Sequence, residues 1–344
     1  MKKATMMKAF LGTLMTISLF GTQVSASDGV DMTPVAAEDS GEMVQSYLTG
    51  EQVPASIGRR RPIAMMMSNI QVACPQSGIS NAGVIYEAPV EGDITRLMAI
   101  YEDYESLERM GSVRSCRDYY LFYANEFDAI YSHFGQAVYA LQYLDAHMID
   151  NLNGLEMDGT TYYRTSDRRP PHNAYTNFQR LQEGIAKMGY RQTYKEDYQG
   201  HYQFAPEGSE TTLENGQSAA MVKLDNFTHN HPWFQYDEAT GTYLRFQFGE
   251  PQVDELNQEQ LSCDNILLQY SSYDGNGYLN IDTSSGGQGK FITRGKAIDI
   301  RWEKDSPWGI THYYDANEQE ILLNPGKTWV EIIQNDRLDS ITIQ

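Results

Sequence analysis

Two arginines three residues apart stand in Gly111-Ser112-Val113-Arg114-Ser115-Cys116-Arg117-Asp118-Tyr119, where a strand end is expected to run into the first turn of a helix. A guanidinium offers planar paired donors to phosphate or carboxylate, and the free N–H groups of a helix start add positive potential. Arg114 and Arg117 are therefore candidates for an anion site, with Asp118 beside them. The competing reading is structural: Arg117 and Asp118 pair with neighbouring charges and Arg114 is a surface residue. A second cluster is Arg168-Arg169-Pro170-Pro171-His172-Asn173-Ala174-Tyr175, whose two prolines are expected to hold the backbone extended just before a helix. His172 could then act as general acid or base and Asn173 as helix cap or ligand-orienting amide, or His172 could simply pin its loop to the backbone. His133 ends an apolar strand ahead of Phe134-Gly135, a position that suits a ligand loop and equally a core histidine bonded to a carbonyl. Glu87 falls inside an apolar strand between Tyr86 and Ala88, facing either water or a partner such as Arg96.

Other chemistry finds little support. The sequence contains no GxSxG, P-loop, HExxH, EF-hand loop or dinucleotide-type glycine pattern, so neither a cofactor nor a metal is expected. Three cysteines, Cys74, Cys116 and Cys263, form no CxxC pair and allow at most one disulfide. The 24 tyrosines suit both sugar-ring contacts and ordinary half-buried strand positions.

The positioning elements begin after a leader. Lys2, Lys3 and Lys8 precede an apolar run over residues 9–21 and then Val24-Ser25-Ala26, which reads as a signal peptide over 1–26 cleaved before Ser27. The run is too short to span a bilayer, and no transmembrane segment is expected in the mature chain. Removing three lysines from the 26 basic residues leaves 23 against 46 acidic ones, a net charge of −23. Such a surface repels nucleic acid and anionic lipid.

Residues 27–60 read as a flexible acidic tether with one short helix around 42–48. Apolar runs at 62–67, 83–90, 94–101 and 129–134 predict strands, and the spacing at 117–127, 136–147 and 174–188 predicts helices. Residues 61–195 are thus expected to form a sheet layered with helices. Residues 196–344 break into short alternating runs with turn signals, which predicts a mainly β second domain with strands at 265–270, 278–282, 297–302 and 328–334. The fold class expected is α+β.

Several stretches resemble the YerB-like lipoprotein family in content and order: residues 61–64, 75–80, 84–87, 94–96, 112–119, His133 and Pro171-His172-Asn173-Ala174-Tyr175, then 264–269, 287–290, 300–304 and 324–329. The resemblance implies an envelope protein of Gram-positive type whose molecular function is not established. Where that family carries a lipid-bearing cysteine at the first mature position, this chain has Ser27, and after His133 it has Phe134-Gly135-Gln136-Ala137 in place of glycines and Ser-Pro. The order Glu87, Arg96, Arg114, Arg117, Asp118 is loosely similar to that of the LytR-CpsA-Psr phosphotransferases.

The expectation is a secreted or envelope-associated protein that binds an anionic or glycan ligand in a cleft lined by Arg114, Arg117, His133 and His172. The alternatives are an envelope-polymer phosphotransferase or hydrolase using Glu87 or Asp118 as base, and a protein–protein scaffold.

Overall fold

The computed structural model describes residues 41–275 and 278–344, so the expected signal peptide lies outside the described residues. Part of the stretch expected to be a tether is ordered. Met43–Gln45 (β1) and Gln52–Pro54 (β2) pair as an antiparallel hairpin. Leu48 at its turn is fully buried, and the Ser46 hydroxyl donates to the Glu102 carboxylate. Leu48 gains a hydrophobic site and Ser46 a buried carboxyl acceptor, so the short helix expected at 42–48 gives way to a docked hairpin.

Ile63–Ser68 (β3), Val84–Pro89 (β4) and Thr95–Tyr101 (β5) are buried at every residue, as their unbroken apolar runs demand of strands covered on both faces. β4 and β5 form the expected hairpin. Asp118–Glu126 (α1) is apolar nearly all round and correspondingly buried. Ile130–His133 (β6), Val138–Asp145 (α2) and Asn151–Asn153 (β7) follow. Phe178–Met188 (α3) starts later than expected: Ala174–Thr176 is a strand instead, and the Asn177 side chain accepts from the Arg180 N–H at the helix start. Gly189, at φ 69°, ends that helix in the left-handed conformation that favours glycine.

In the second half, Met221–Leu224 (β8), Trp233–Asp237 (β9) and Thr242–Gln247 (β10) belong to a six-stranded sheet closed by C-terminal residues 341–343. Asn265–Ser271 (β11), Gly287–Thr293 (β12), Lys296–Glu303 (β13) and Thr328–Gln334 (β14) belong to a larger one. The strand expected at 278–282 shrinks to Asn280–Ile281, paired with Tyr273–Asp274. The fold is α+β and rich in strands. Residues 61–195 and 196–344 meet in one sheet of order β13-β12-β11-β14-β4-β5-β3-β6-β7, in which β14 runs parallel to both β4 and β11.

Two cores flank that sheet. On one face Met66, Tyr86 and Met98 pack with Tyr119–Ala124 of α1 and with Val330 and Ile332. On the other, Met67, Ile85 and Leu97 pack with Trp329, with Phe234 of the smaller sheet and with Leu181 of α3. Cys74, Cys116 and Cys263 are free thiols.

Candidate functional site

Strand register decides which polar groups can meet. Arg96 on β5 lies opposite Ala88 of β4 and Ser68 of β3, whereas Glu87 lies opposite Leu97. Because successive strand residues point to opposite faces, Glu87 and Arg96 are separated by the sheet and cannot pair.

Glu87 turns instead toward the smaller sheet, where Arg245 of β10 bridges it to Glu331 of β14, all three side chains fully buried. Asn69 Nδ2 at 2.9 Å, Asn230 Nδ2 at 2.8 Å and Thr95 Oγ1 at 2.5 Å also donate to Glu87.

Arg96 belongs to a different group. The segment after Gly111 is clipped across the strand ends: the Arg114 N–H donates to the Met66 carbonyl at 2.9 Å, the Arg114 carbonyl accepts from Phe134, and the Cys116 N–H donates to Gly135. Arg114 is thereby carried to the end of β3, where the His172 Nδ1 stands 3.2 Å from the Ser68 hydroxyl. One guanidinium nitrogen of Arg114 donates to the Pro171 carbonyl at 3.2 Å, and one of Arg96 to the Ser115 carbonyl at 2.6 Å. Arg168 borders the group through Pro75 and Glu255.

The group is cationic beyond what its neighbours compensate. Arg96 is 5% exposed, and no ion pair among the described residues includes Arg96 or Arg114. Burial, then the charges of Arg117 and Arg114, pull the Arg96 guanidinium down to about 10. Burial and Arg117 lower Arg114 as well. His172 falls below the ordinary histidine value through burial and then Arg114, Arg96 and Arg168, so its ring is neutral at pH 7. Among the described residues the Arg96 side chain donates only to the Ser115 carbonyl, an arrangement that an incoming anion would complete.

Other expected site residues are engaged elsewhere. Arg117 clasps the Glu91 carboxylate through Nε, at 2.9 and 3.1 Å, and through a terminal nitrogen, which is the structural ion pair of the competing reading. Both ring nitrogens of His133 face oxygens, Gly135 O at 2.8 Å and Asn151 Oδ1 at 3.1 Å, and the ring is buried with its pKa lowered by desolvation. It ties β6 to β7 and has no nitrogen left for a ligand. Asn173 donates to the Thr165 carbonyl at 2.9 Å and accepts from Arg164 at 3.1 Å, so it pins the loop, and Asn177 is the cap. His172 sits in a turn closed by its own N–H to Arg169 O rather than in an extended run. Asp118 is buried in the first turn of α1, raised mainly by burial, and borders a different cleft. Ser68 and Arg168 are functional candidates that motif reading passed over; Arg168 stood in the quoted cluster, while Ser68 is visible only through the register.

Comparison with known proteins agrees with the fold. A protein of Bacillus subtilis (strain 168) named "Putative lipoprotein YerB" is 29% identical over 320 residues, covering 90% of this chain and 91% of that protein. The crystal structure of the YerB protein from Bacillus subtilis superposes with a TM-score of 0.78 at 29% identity, covering 88% of this chain and 99% of that one. The N-terminal domain of the family described as protein of unknown function (DUF3048) matches residues 48–191, and its C-terminal domain matches residues 222–330. Matched in both of its parts, in order and over most of its length, the chain belongs to the DUF3048 family.

Proposed function

We propose that this is an extracytoplasmic protein of the cell envelope that binds an anionic group of an envelope ligand, phosphate or carboxylate, between Arg96, Arg114 and His172. The observation that carries the reading is Arg96, a buried guanidinium with no carboxylate partner, in the company of Arg114. Burial of an unpaired cation costs several kcal/mol, and a ligand that supplies the counter-charge recovers it. The leader-like start and the lipoprotein name of the Bacillus subtilis relative support placement at the envelope.

Calorimetric titration with inorganic pyrophosphate tests the site. Arg114→Ala is expected to weaken binding by about 1.5 to 3 kcal/mol, the range for a hydrogen bond to a charged group, and Arg114→Lys to recover only part of it. Arg117→Ala is expected to act through the loss of its Glu91 pair, costing stability of about 1 kcal/mol or less and little affinity. Unchanged affinity in Arg114→Ala would sink the reading.

A hydrolase reading draws on the Ser68 hydroxyl 3.2 Å from His172, a nucleophile and base within reach. Among the described residues no carboxylate orients His172, and Glu87 lies on the opposite face of the sheet, which favours binding over turnover.

A further inference from the structure

Away from the arginines, a cleft of about 720 Å³ opens between α1, α2 and the segment that follows β11. That size falls within the roughly 300–1,000 Å³ of sites that take small organic ligands. Tyr139 of α2 and Tyr278 on the far side are 44% and 45% exposed and meet edge to face with ring centroids 5.1 Å apart. Each ring restrains the other while both stay accessible. Behind them Tyr143 packs edge-on against Phe122 at 5.2 Å and Trp308 at 5.6 Å, so the aromatic wall is anchored in the helices.

The polar part of the lining has one sign. Asp118, Asp274 and Asp282 border the cleft, and among the described residues no Lys, Arg or His does. The side chains of Asp274 and Asn280 make no hydrogen bond among the described residues, and both are exposed. A second lobe of about 290 Å³ shares Tyr273 and Tyr278 with it, and there Glu91 and Asp93 stand with Arg337, which pairs with Asp93 at 3.4 Å.

The geometry points to a second binding site, for a neutral or amine-bearing oligosaccharide, with Tyr139 and Tyr278 as ring platforms and Asp274 and Asn280 as partners of its hydroxyl or amino groups. A pyranose has apolar C–H faces and a polar rim, which match rigid amphipathic rings interleaved with carboxylate and amide groups. A carboxylate accepts two hydroxyl protons or one ammonium, and the tyrosine faces favour a cation further. Three aspartates in the first lobe, and Glu91 and Asp93 against the single cation Arg337 in the second, disfavour uronate- or phosphate-bearing chains. Two joined lobes fit a chain rather than a single ring. The site differs from the arginine cluster in both residues and preferred ligand charge, and it stands or falls independently.

The test is calorimetric titration of the full chain with tetra-N-acetylchitotetraose, its fully deacetylated tetramer, a hyaluronate tetrasaccharide and tetralysine. The first two are expected to bind and the hyaluronate fragment not to. Tyr139→Ala and Tyr278→Ala should each weaken binding about twofold to tenfold with an unchanged melting temperature, as befits exposed side chains, and Tyr139→Phe and Tyr278→Phe should retain most of it. Asp274→Asn should weaken the deacetylated tetramer more than the acetylated one, and Arg114→Ala should alter neither. The proposal is overturned if no saccharide binds, if hyaluronate binds as tightly as the neutral tetramer, if both alanine variants bind unchanged, or if only tetralysine depends on the tyrosines.

Discussion

Arg245→Met is expected to lower the unfolding free energy by about 3 to 5 kcal/mol, the cost of leaving a buried charge without its partner. The guanidinium of Arg245 lies against the rings of Phe234 and Trp329, 4.5 Å from the centre of each, and bonds Glu331 Oε1 at 2.6 Å as well as Glu87. Two carboxylates thus share one cation. Burial first, and then the negative charge of Glu87, push Glu331 well above the ordinary carboxylate range, against the lowering influence of Arg245.

The triad is therefore asymmetric in its response to substitution. Because burial and Glu87 both disfavour the charged form of Glu331, Glu331→Gln should cost about 1 kcal/mol or less, whereas Arg245→Met strands Glu87 in the core. Adding Glu87→Gln to Arg245→Met should recover much of the loss. Urea unfolding with an unchanged denaturant slope is the measurement. A loss below about 1 kcal/mol in Arg245→Met would show that the cation is not what joins the two sheets.

The second large effect is a dependence on pH. Glu102, at 5% exposure, is raised to about 7, first by burial and then by the charges of Asp103 and Glu51, against the lowering influence of Ser46 and Arg59. Its folded value exceeds its unfolded value, so between about pH 4.5 and 7 the folded chain keeps a proton that the unfolded chain has lost. The stabilisation is complete below the unfolded value and is lost as pH rises through about 7, a difference of about 3 kcal/mol. His201, lowered to about 4 by burial, has the opposite slope below its unfolded value. The difference between wild type and Glu102→Gln isolates the carboxylate: wild type should lose stability relative to the variant from pH 5 to 8, and faster amide exchange in β1 and β2 should accompany the loss. Parallel stability curves for the two proteins would reject this assignment.

What the sequence discloses and what it hides follow from the range of the interactions. Fully buried strands such as β3 and β5 are legible because burial on both faces forces continuous apolar runs, and α1 is legible because its whole circumference is apolar. Residues 43–54 are polar enough to pass for a tether, and only Glu102, 56 positions away from Ser46, shows what docks them. Ala174–Thr176 has helical spacing, yet its pairing with Gly111 and Arg164 overrides local propensity. The arginine cluster was half legible: residue type and order identify Arg114, Arg96 and His172, but the choice between Arg117 as ligand donor and as partner of Glu91 needed coordinates. Glu87 finds Arg245 158 positions along the chain, beyond any local pattern. The tyrosine cleft was hidden because its rings come from segments more than 100 residues apart and carry no motif.

The place of β14 constrains how the chain can be made and moved. The strand that joins the halves is Thr328–Gln334, inserted between β4 and β11 in parallel with both, and it follows β4 by more than 200 residues. A polypeptide threaded N-terminus first would present β4 with an open, apolar edge throughout the passage of more than 200 intervening residues, and β11 with another. Open edges template pairing between copies, and contacts of such wide sequence separation form slowly. Loss of β14 by truncation or premature release would therefore convert this sheet into two sticky halves, a liability that newly emerging chains share until β14 itself has emerged.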